Sequence, residues 1–189
     1  MNLKELIDDS RTDKNTTHSY IDLYQKLLGK KKNSATNVLE VGICKGGSIK
    51  LWRDFFVNAT VYGIDLMTES PEKLWGDIIN DKKIKMLLGQ NGYDESLVNS
   101  EFVNKDIKFD FILDDGPHTL ESMKKFIKLY HPLIKDDGIL IIEDVQSINW
   151  IQSLINEVPE YLKKYIKSYD LRNNKNRYDD IVFTIDKSN

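Results

Sequence analysis

Val38-Leu39-Glu40-Val41-Gly42-Ile43-Cys44-Lys45-Gly46-Gly47-Ser48 is a short apolar run that breaks into a glycine-rich turn and passes straight into a helical period. Beyond the turn, Ile49, Trp52, Phe55 and Phe56 fall on one stripe of a helix over residues 48–56. Gly42 permits a tight turn, while Gly46 and Gly47 would let a ligand approach the backbone at the helix amino terminus. The register is G-x-x-x-G-G and not the G-x-G-x-x-G of dinucleotide-binding turns, which disfavours nicotinamide and flavin but leaves a nucleoside open. A purely structural turn is the competing reading.

The same unit recurs outward from this stretch. Thr60-Val-Tyr-Gly-Ile-Asp65, Ile84-Lys-Met-Leu-Leu88, Phe109-Asp-Phe-Ile-Leu-Asp114 and Ile139-Leu-Ile-Ile-Glu143 are further apolar runs, and helical periods lie between them. One such period, over residues 120–130, places Met123, Phe126, Ile127 and Tyr130 on a stripe. Runs this apolar read as parallel strands covered on both faces, joined by right-handed crossovers into a doubly wound, Rossmann-like α/β sheet. Ahead of the first strand, Tyr20, Leu23, Tyr24, Leu27 and Leu28 predict a helix over residues 17–28 with Gly29 as its stop. Behind the fifth, residues 148–158 predict a helix stopped at Pro159 and residues 161–169 fit helix or strand. Residues 172–177 read as a turn or loop and residues 180–185 as a strand, so the tail should form an antiparallel hairpin. The whole reads as one domain over residues 1–189, an amino-terminal helical cap (1–32) on a Rossmann-like core (36–189).

Composition narrows the class. A chain of 189 residues, 40% hydrophobic and 30% charged, can bury one core and is not disordered. The 27 basic residues are interleaved with 30 acidic ones, and the densest basic run, Lys30-Lys31-Lys32, suits a solvated loop better than a nucleic-acid groove. One cysteine, Cys44, excludes an internal disulfide framework and fits a reducing compartment. The first residues carry acidic groups where a secretory signal needs basic ones, and no apolar stretch approaches a membrane span. A cytoplasmic protein without membrane or nucleic-acid partners is therefore expected, and a homodimer is compatible with the pattern.

In open α/β sheets the ligand crevice lies at the carboxyl ends of the strands, so the polar residues there carry the chemistry. Asp65 ends the second run; its carboxylate can accept from both ribose hydroxyls, or it can cap the next helix. Gly89-Gln90-Asn91-Gly92-Tyr93 could pack beside a purine through Gln90, or be an ordinary Asn-Gly turn. Asp114-Asp115-Gly116-Pro117-His118 and Glu143-Asp144 end the fourth and fifth runs, bringing four carboxylates and a histidine to neighbouring strand ends. Such a concentration of charge demands a cation or shared protons, and oxygen ligands suit Mg²⁺. Asp115, Glu143 and Asp144 are the expected ligands, with Asp114 nearer the cofactor. His118 could take a proton from a hydroxyl held there, since imidazole has suitable basicity near pH 7; the alternative makes it a helix cap. His131 reads as structural, and Cys44 as a small residue lining the turn. Thr12-Asp13-Lys14 and His18-Ser19-Tyr20 precede the first strand: Lys14 and Tyr20 could cover the cleft and hold a carboxylate or phosphate, or the segment is only a polar helix start.

Together these pieces resemble the class I S-adenosylmethionine-dependent methyltransferases, and among them the metal-dependent O-methyltransferases of the macrocin and mycinamicin sugar type, with the related cephalosporin hydroxylase and rhamnosyl O-methyltransferase group. The resemblance runs from Thr12-Asp-Lys14 and His18-x-Tyr20 to Tyr178-Asp-Asp-Ile-Val-Phe183. Val38-Leu-Glu-Val-Gly42 and Gly46-Gly47-Ser48 are common to the superfamily, whereas Asp114-Asp-Gly-Pro-His118 followed by Ile142-Glu-Asp144 is more specific. It implies a seven-stranded sheet with its last strand antiparallel. Glu40 and Gly42 would lie near the methionine portion, with Lys14, Tyr20, Ser48, Gln90 and Asp114 in the cofactor's surroundings and Asp65 on its ribose. Asp115, Glu143 and Asp144 would hold Mg²⁺ or Mn²⁺, and His118 would act as base. Pro117 stands where Ser is common, which stiffens the loop and spares the proposed ligands. The implied activity is methyl transfer from S-adenosylmethionine to a hydroxyl of a small molecule, a sugar or nucleotide sugar. A catechol-type O-methyltransferase, a nucleotide- or NAD-dependent sugar-modifying enzyme and a non-catalytic nucleoside sensor are the competing readings.

Overall fold

The computed structural model describes residues 1–67, 76 and 78–188. In chain order its main elements are α1 (Ile21–Leu28), β1 (Asn37–Val41), α2 (Gly47–Phe55), β2 (Thr60–Asp65), β3 (Ile84–Leu88), β4 (Phe109–Asp114), α3 (Leu120–Tyr130), β5 (Ile134–Ile142), α4 (Trp150–Glu157), β6 (Ile166–Asp170) and β7 (Ile181–Asp186). The strands form a seven-stranded sheet in the order β3-β2-β1-β4-β5-β7-β6. β1 to β5 pair in parallel, and β7 runs antiparallel to both β5 and β6. The expected seven-stranded sheet with an antiparallel last strand is therefore present.

Period-two alternation divides the buried strand residues between two cores. Val38, Val61, Phe111, Leu113, Ile139 and Ile141 face α1 and α2, where Tyr24, Trp52, Phe55 and Phe56 are fully enclosed. Leu39, Val41, Ile112, Leu140 and Ile142 face α3 and α4, against Met123, Phe126, Ile127 and Leu154. Glu40 shares the face of Val38, so alternation drives a carboxylate into the first core, with no exposed surface. The amino-terminal residues Leu3, Tyr20, Ile21 and Tyr24 belong to that same core.

Several boundaries differ from the sequence reading. α1 starts at Ile21 and not at residue 17, because the amides of Thr16, Thr17 and His18 all donate to the Asp13 carbonyl in a turn. The α-helix does end at Leu28 with Gly29 as its cap, as expected, though Gly29 keeps φ −56° and the chain continues as a 3₁₀ turn, Gly29–Lys31. The segment left open between helix and strand is both: a 3₁₀ turn over Glu160–Tyr165, then β6. The stretch read as a turn or loop holds a four-residue helix, Arg172–Lys175, ended by Asn176 at φ 57°. Among the described residues, no helix is long and apolar enough to cross a membrane.

Strand order reverses between β1 and β4, the position at which a doubly wound sheet opens a crevice beyond its carboxyl ends. The two loops touch there: the Asp115 amide donates to the Val41 carbonyl at 2.8 Å, and a Cβ on Gly42, at φ 88°, would lie 2.0 Å from the Asp115 carbonyl oxygen. Gly42 is required by this loop-on-loop contact as well as by its positive φ.

Candidate active site

The crevice is a cleft of about 800 Å³, lined by Gly42, Ile43, Cys44, Asp65, Gln90, Tyr93, Asp115, His118 and Asp144, among others. Asp65 stands at its β2 side. Its Oδ2 accepts from the amides of Ile43 (2.7 Å) and Cys44 (3.3 Å), and its Oδ1 from Met67 (2.9 Å). The carboxylate thus braces the glycine turn; the residues a following helix would use lie outside the described ones. Gln90 lies in the cleft wall and its amide donates to the Asp65 carbonyl at 3.0 Å.

On the β4 and β5 side, three groups converge. His118 Nε2 lies 3.6 Å from Asp144 Oδ2 and 3.9 Å from Asp115 Oδ1, and one ligand atom from each of the three residues fits within a 4.8 Å span. His118 (φ 54°) and Asp144 (φ 54°) are both left-handed, conformations that cost energy in non-glycine residues and persist where surrounding contacts enforce them. His118 is not the cap of α3. Thr119 is: its hydroxyl accepts from the Ser122 amide in a capping box.

Behind this wall the amino-terminal segment supplies five polar groups, Lys14, His18, Ser19, Tyr20 and Tyr24. Lys14, 1% exposed, places Nζ 2.6 Å from Asp115 Oδ2 and 3.6 Å from Glu40 Oε1, and donates to Glu143 Oε1. Tyr24 donates its hydroxyl to Glu143 Oε2, and Tyr20 donates to Asp144 Oδ1. His18 Nδ1 lies 2.6 Å from Asp180 Oδ1 and 3.3 Å from Asp144 Oδ1, so this nitrogen carries the proton. Asp180 Oδ2 accepts from the Ser19 hydroxyl at 2.9 Å.

The electrostatics follow from this packing. Burial alone would lower the Lys14 pKa, but Asp115, Glu143 and Glu40 outweigh it and hold the ammonium charged, well above its ordinary range. Burial and the charge of Asp115 push Glu143 up, even against Lys14. Burial, seconded by Asp115, likewise raises Asp144. Glu40 is pushed up to about 7 by burial, against the pull of Lys14 and of hydrogen bonds from Ser48 and Trp52. Asp114 is pushed up to about 7 by burial, opposed by the Tyr93 hydroxyl that donates to it.

A raised carboxyl pKa stabilises the fold below the unfolded value and loses that contribution as pH climbs through the folded value. Metal-free protein should therefore lose stability between pH 5 and 7.5. In Asp114→Asn the loss should be smaller by something on the order of 2 kcal/mol, as urea denaturation at the two pH values would record. Equal losses in both proteins would refute a buried, protonated Asp114.

Of the residues singled out from sequence, Gly42, Asp65, Gln90, Asp115, His118 and Asp144 line the cleft, whereas Lys14, Tyr20, Glu40, Ser48, Asp114 and Glu143 stand behind its wall. Glu143 is not in the three-residue convergence, and both its oxygens are engaged, by Lys14 and Tyr24. Gly47 does not admit a ligand: a Cβ there would lie 2.5 Å from the Arg11 backbone, so the amino-terminal segment occupies that side of the turn. His131 lies at the opposite end of the sheet, beside Lys135 at the start of β5. Sequence reasoning missed Tyr24, Tyr93 and Asp180 and gave His18 no role. Tyr24 was legible only as an apolar stripe residue, and the approach of Asp180 to His18 leaves no local signal.

No family model matches the chain. In sequence it is similar to mycinamicin VI 2''-O-methyltransferase of Micromonospora griseorubida, 24% identical over 144 residues that make up 70% of this chain and 33% of that protein. Demethylmacrocin O-methyltransferase of Streptomyces fradiae is 26% identical over 140 residues, again 70% of this chain and 33% of the relative. A tetracenomycin rhamnosyl 2'-O-methyltransferase of Streptomyces olivaceus is 22% identical over 74% of the chain and 36% of its own length. The chain spans about a third of the length of these curated relatives. In structure it is similar to the MycE methyltransferase of mycinamycin biosynthesis, solved with Mg and S-adenosylhomocysteine: TM-score 0.74, 20% identity, 98% of this chain and 54% of that one. Fibrillarin of Methanococcus jannaschii, a pre-rRNA processing protein, has a TM-score of 0.56 at 18% identity over 84% of this chain and 70% of its own. The fold is that of the class I, Rossmann-like methyltransferases. In sequence the chain is similar to macrolide and tetracenomycin sugar O-methyltransferases.

Proposed function

We propose that this protein transfers a methyl group from S-adenosylmethionine to a hydroxyl of a small molecule, a sugar or nucleotide sugar, assisted by a divalent ion. The convergence of Asp115, Asp144 and His118 on a cleft whose other wall is the Gly42 turn and Asp65 carries this reading. A cleft of about 800 Å³ is ample for a nucleoside cofactor with an acceptor beside it. The similarity to sugar O-methyltransferases supports the acceptor class. The 27 basic residues interleaved with 30 acidic ones disfavour nucleic acid. Cys44, exposed and free, agrees with a reducing, cytoplasmic setting.

The donor set fits a hard cation: two carboxylates in a half-buried site, both under mutual repulsion, with an imidazole between them. Asp115 and Asp144 would hold the ion, and Glu143 would support it from behind through Lys14 and Tyr24. Bound there, a divalent ion supplies Lewis-acid charge that weakens an acceptor hydroxyl's hold on its proton. His118, a third exposed at the cleft mouth, accepts that proton at Nε2 as the oxygen takes the methyl group from sulfur. Asp65, locked by three backbone amides, receives the ribose hydroxyls; Gln90 lies against the base, and Gly42 lets the methionine portion pass the turn. Much of the remaining acceleration is alignment of oxygen, carbon and sulfur.

Titration of S-adenosylhomocysteine into magnesium-supplemented protein should show saturable one-to-one binding. Asp65→Ala should weaken it about 10- to 100-fold, the worth of hydrogen bonds to a charged group. Absence of binding in folded protein would overturn the cofactor class, and an unchanged dissociation constant in the variant would remove the ribose role. Deoxysugars and vicinal-diol aromatics screened side by side then separate the sugar acceptor from a catechol.

A further inference from the structure

The carboxylates at the cleft mouth are each half-occupied from within the protein, Asp144 by a neutral donor and Asp115 by an ammonium. Asp144 Oδ1 accepts from Tyr20 and lies 3.3 Å from His18 Nδ1, while Oδ2 turns toward His118. Asp115 gives Oδ2 to Lys14 and turns Oδ1 toward His118. One oxygen of each carboxylate therefore remains for a cation.

The inner clamp is built rigidly. Tyr20 has no exposed surface; its ring stacks on His18 at 5.0 Å between centroids and 15° between planes, and packs on Tyr24 at 5.8 Å. His18 in turn is fixed by Asp180, itself fully buried. A cation that gripped both oxygens of Asp144 would have to strip the carboxylate from a buried tyrosine hydroxyl, leaving it only the long, 3.4 Å contact to the Asp179 carbonyl.

Ca²⁺ prefers six to eight oxygen ligands and often takes a carboxylate by both oxygens, whereas Mg²⁺ and ions of its size take one or two carboxylate oxygens and keep their waters. We infer that Tyr20, with His18 behind it, is a positioning residue that confers selectivity for a small, six-coordinate divalent ion over Ca²⁺. The inference rests on the proposed ion site and adds what chooses the ion.

Manganese binding to chelator-stripped protein, read from the paramagnetic signal of free Mn²⁺ with Ca²⁺ as competitor, tests both layers separately. Wild-type protein should bind one Mn²⁺ and release it only to a large excess of Ca²⁺. Tyr20→Phe should narrow the preference for Mn²⁺ over Ca²⁺ about tenfold, the usual reach of a residue that orients a metal ligand, while S-adenosylhomocysteine affinity stays within about twofold. A lost hydroxyl with only structural value would lower stability and leave the ratio of the two affinities unmoved, and that result overturns the inference. Failure of wild-type protein to bind Mn²⁺ removes the ion site itself. If Tyr20→Phe does not fold, His18→Ala removes the ring that stacks on Tyr20 and the imidazole 3.3 Å from Asp144 Oδ1, and must shift the ratio in the same direction.

Discussion

Lys14→Met should lower the unfolding free energy of the metal-free protein by about 3–5 kcal/mol, the scale expected when one partner of a buried ionic cluster is removed and the others are left uncompensated. Lys14 is 1% exposed and meets Glu40, Asp115 and Glu143, of which Glu40 and Glu143 are themselves at 1% exposure or less. Without the ammonium, three carboxylates share an enclosed space with no cation, and they must either take up protons or draw in water. Urea denaturation followed by tryptophan fluorescence reads the change well, since Trp52 donates its indole N–H to Glu40 at 2.9 Å. Combining Lys14→Met with Glu143→Gln should recover part of the loss, because the second change removes one of the stranded charges. A loss under about 1 kcal/mol would mean that Lys14 is no more than a surface-type ion pair.

His118→Ala should reduce turnover about 10²- to 10⁴-fold, the usual worth of a positioned general base. Affinity for S-adenosylhomocysteine and for Mn²⁺ should stay within about twofold of wild type. The separation of effects matters because Nε2 sits between Asp144 Oδ2 and Asp115 Oδ1, where an imidazole could equally serve as a third metal ligand. A variant that loses Mn²⁺ affinity in step with turnover would move His118 from base to ligand. The left-handed backbone of His118 holds the ring at the cleft mouth in either case.

Much of this architecture could be read before the fold was known, for a physical reason. Strands buried on both faces leave long apolar runs, and β1, β2 and β4 match theirs within a residue. β5 did not: its first half, Ile134 to Gly138, passes through Lys135, Asp136 and Asp137 at the exposed end of the sheet, where polarity hides a strand. β6 is an edge strand and is partly exposed throughout, so its pattern was ambiguous. The strand-end residues Asp65, Asp115, Asp144 and His118 were legible because fold topology alone sends such positions to one crevice. The partners of those residues were not. Tyr20 and Asp144 are 124 positions apart, and Lys14 and Glu143 are 129 apart; helical periodicity reports that Tyr20 and Tyr24 are inside, but not that their hydroxyls meet carboxylates there.

His18 and Asp180 are separated by 162 positions, and their contact closes the back of the site. During synthesis the residues that grip the carboxylates emerge long before Asp180, which fixes them. A nascent chain can complete its early βα units and still lack a working centre. A cofactor or ion that needs the closed site would then meet a scaffold already folded, and the long-range pairing of β7 with β5 belongs to the steps that complete that scaffold.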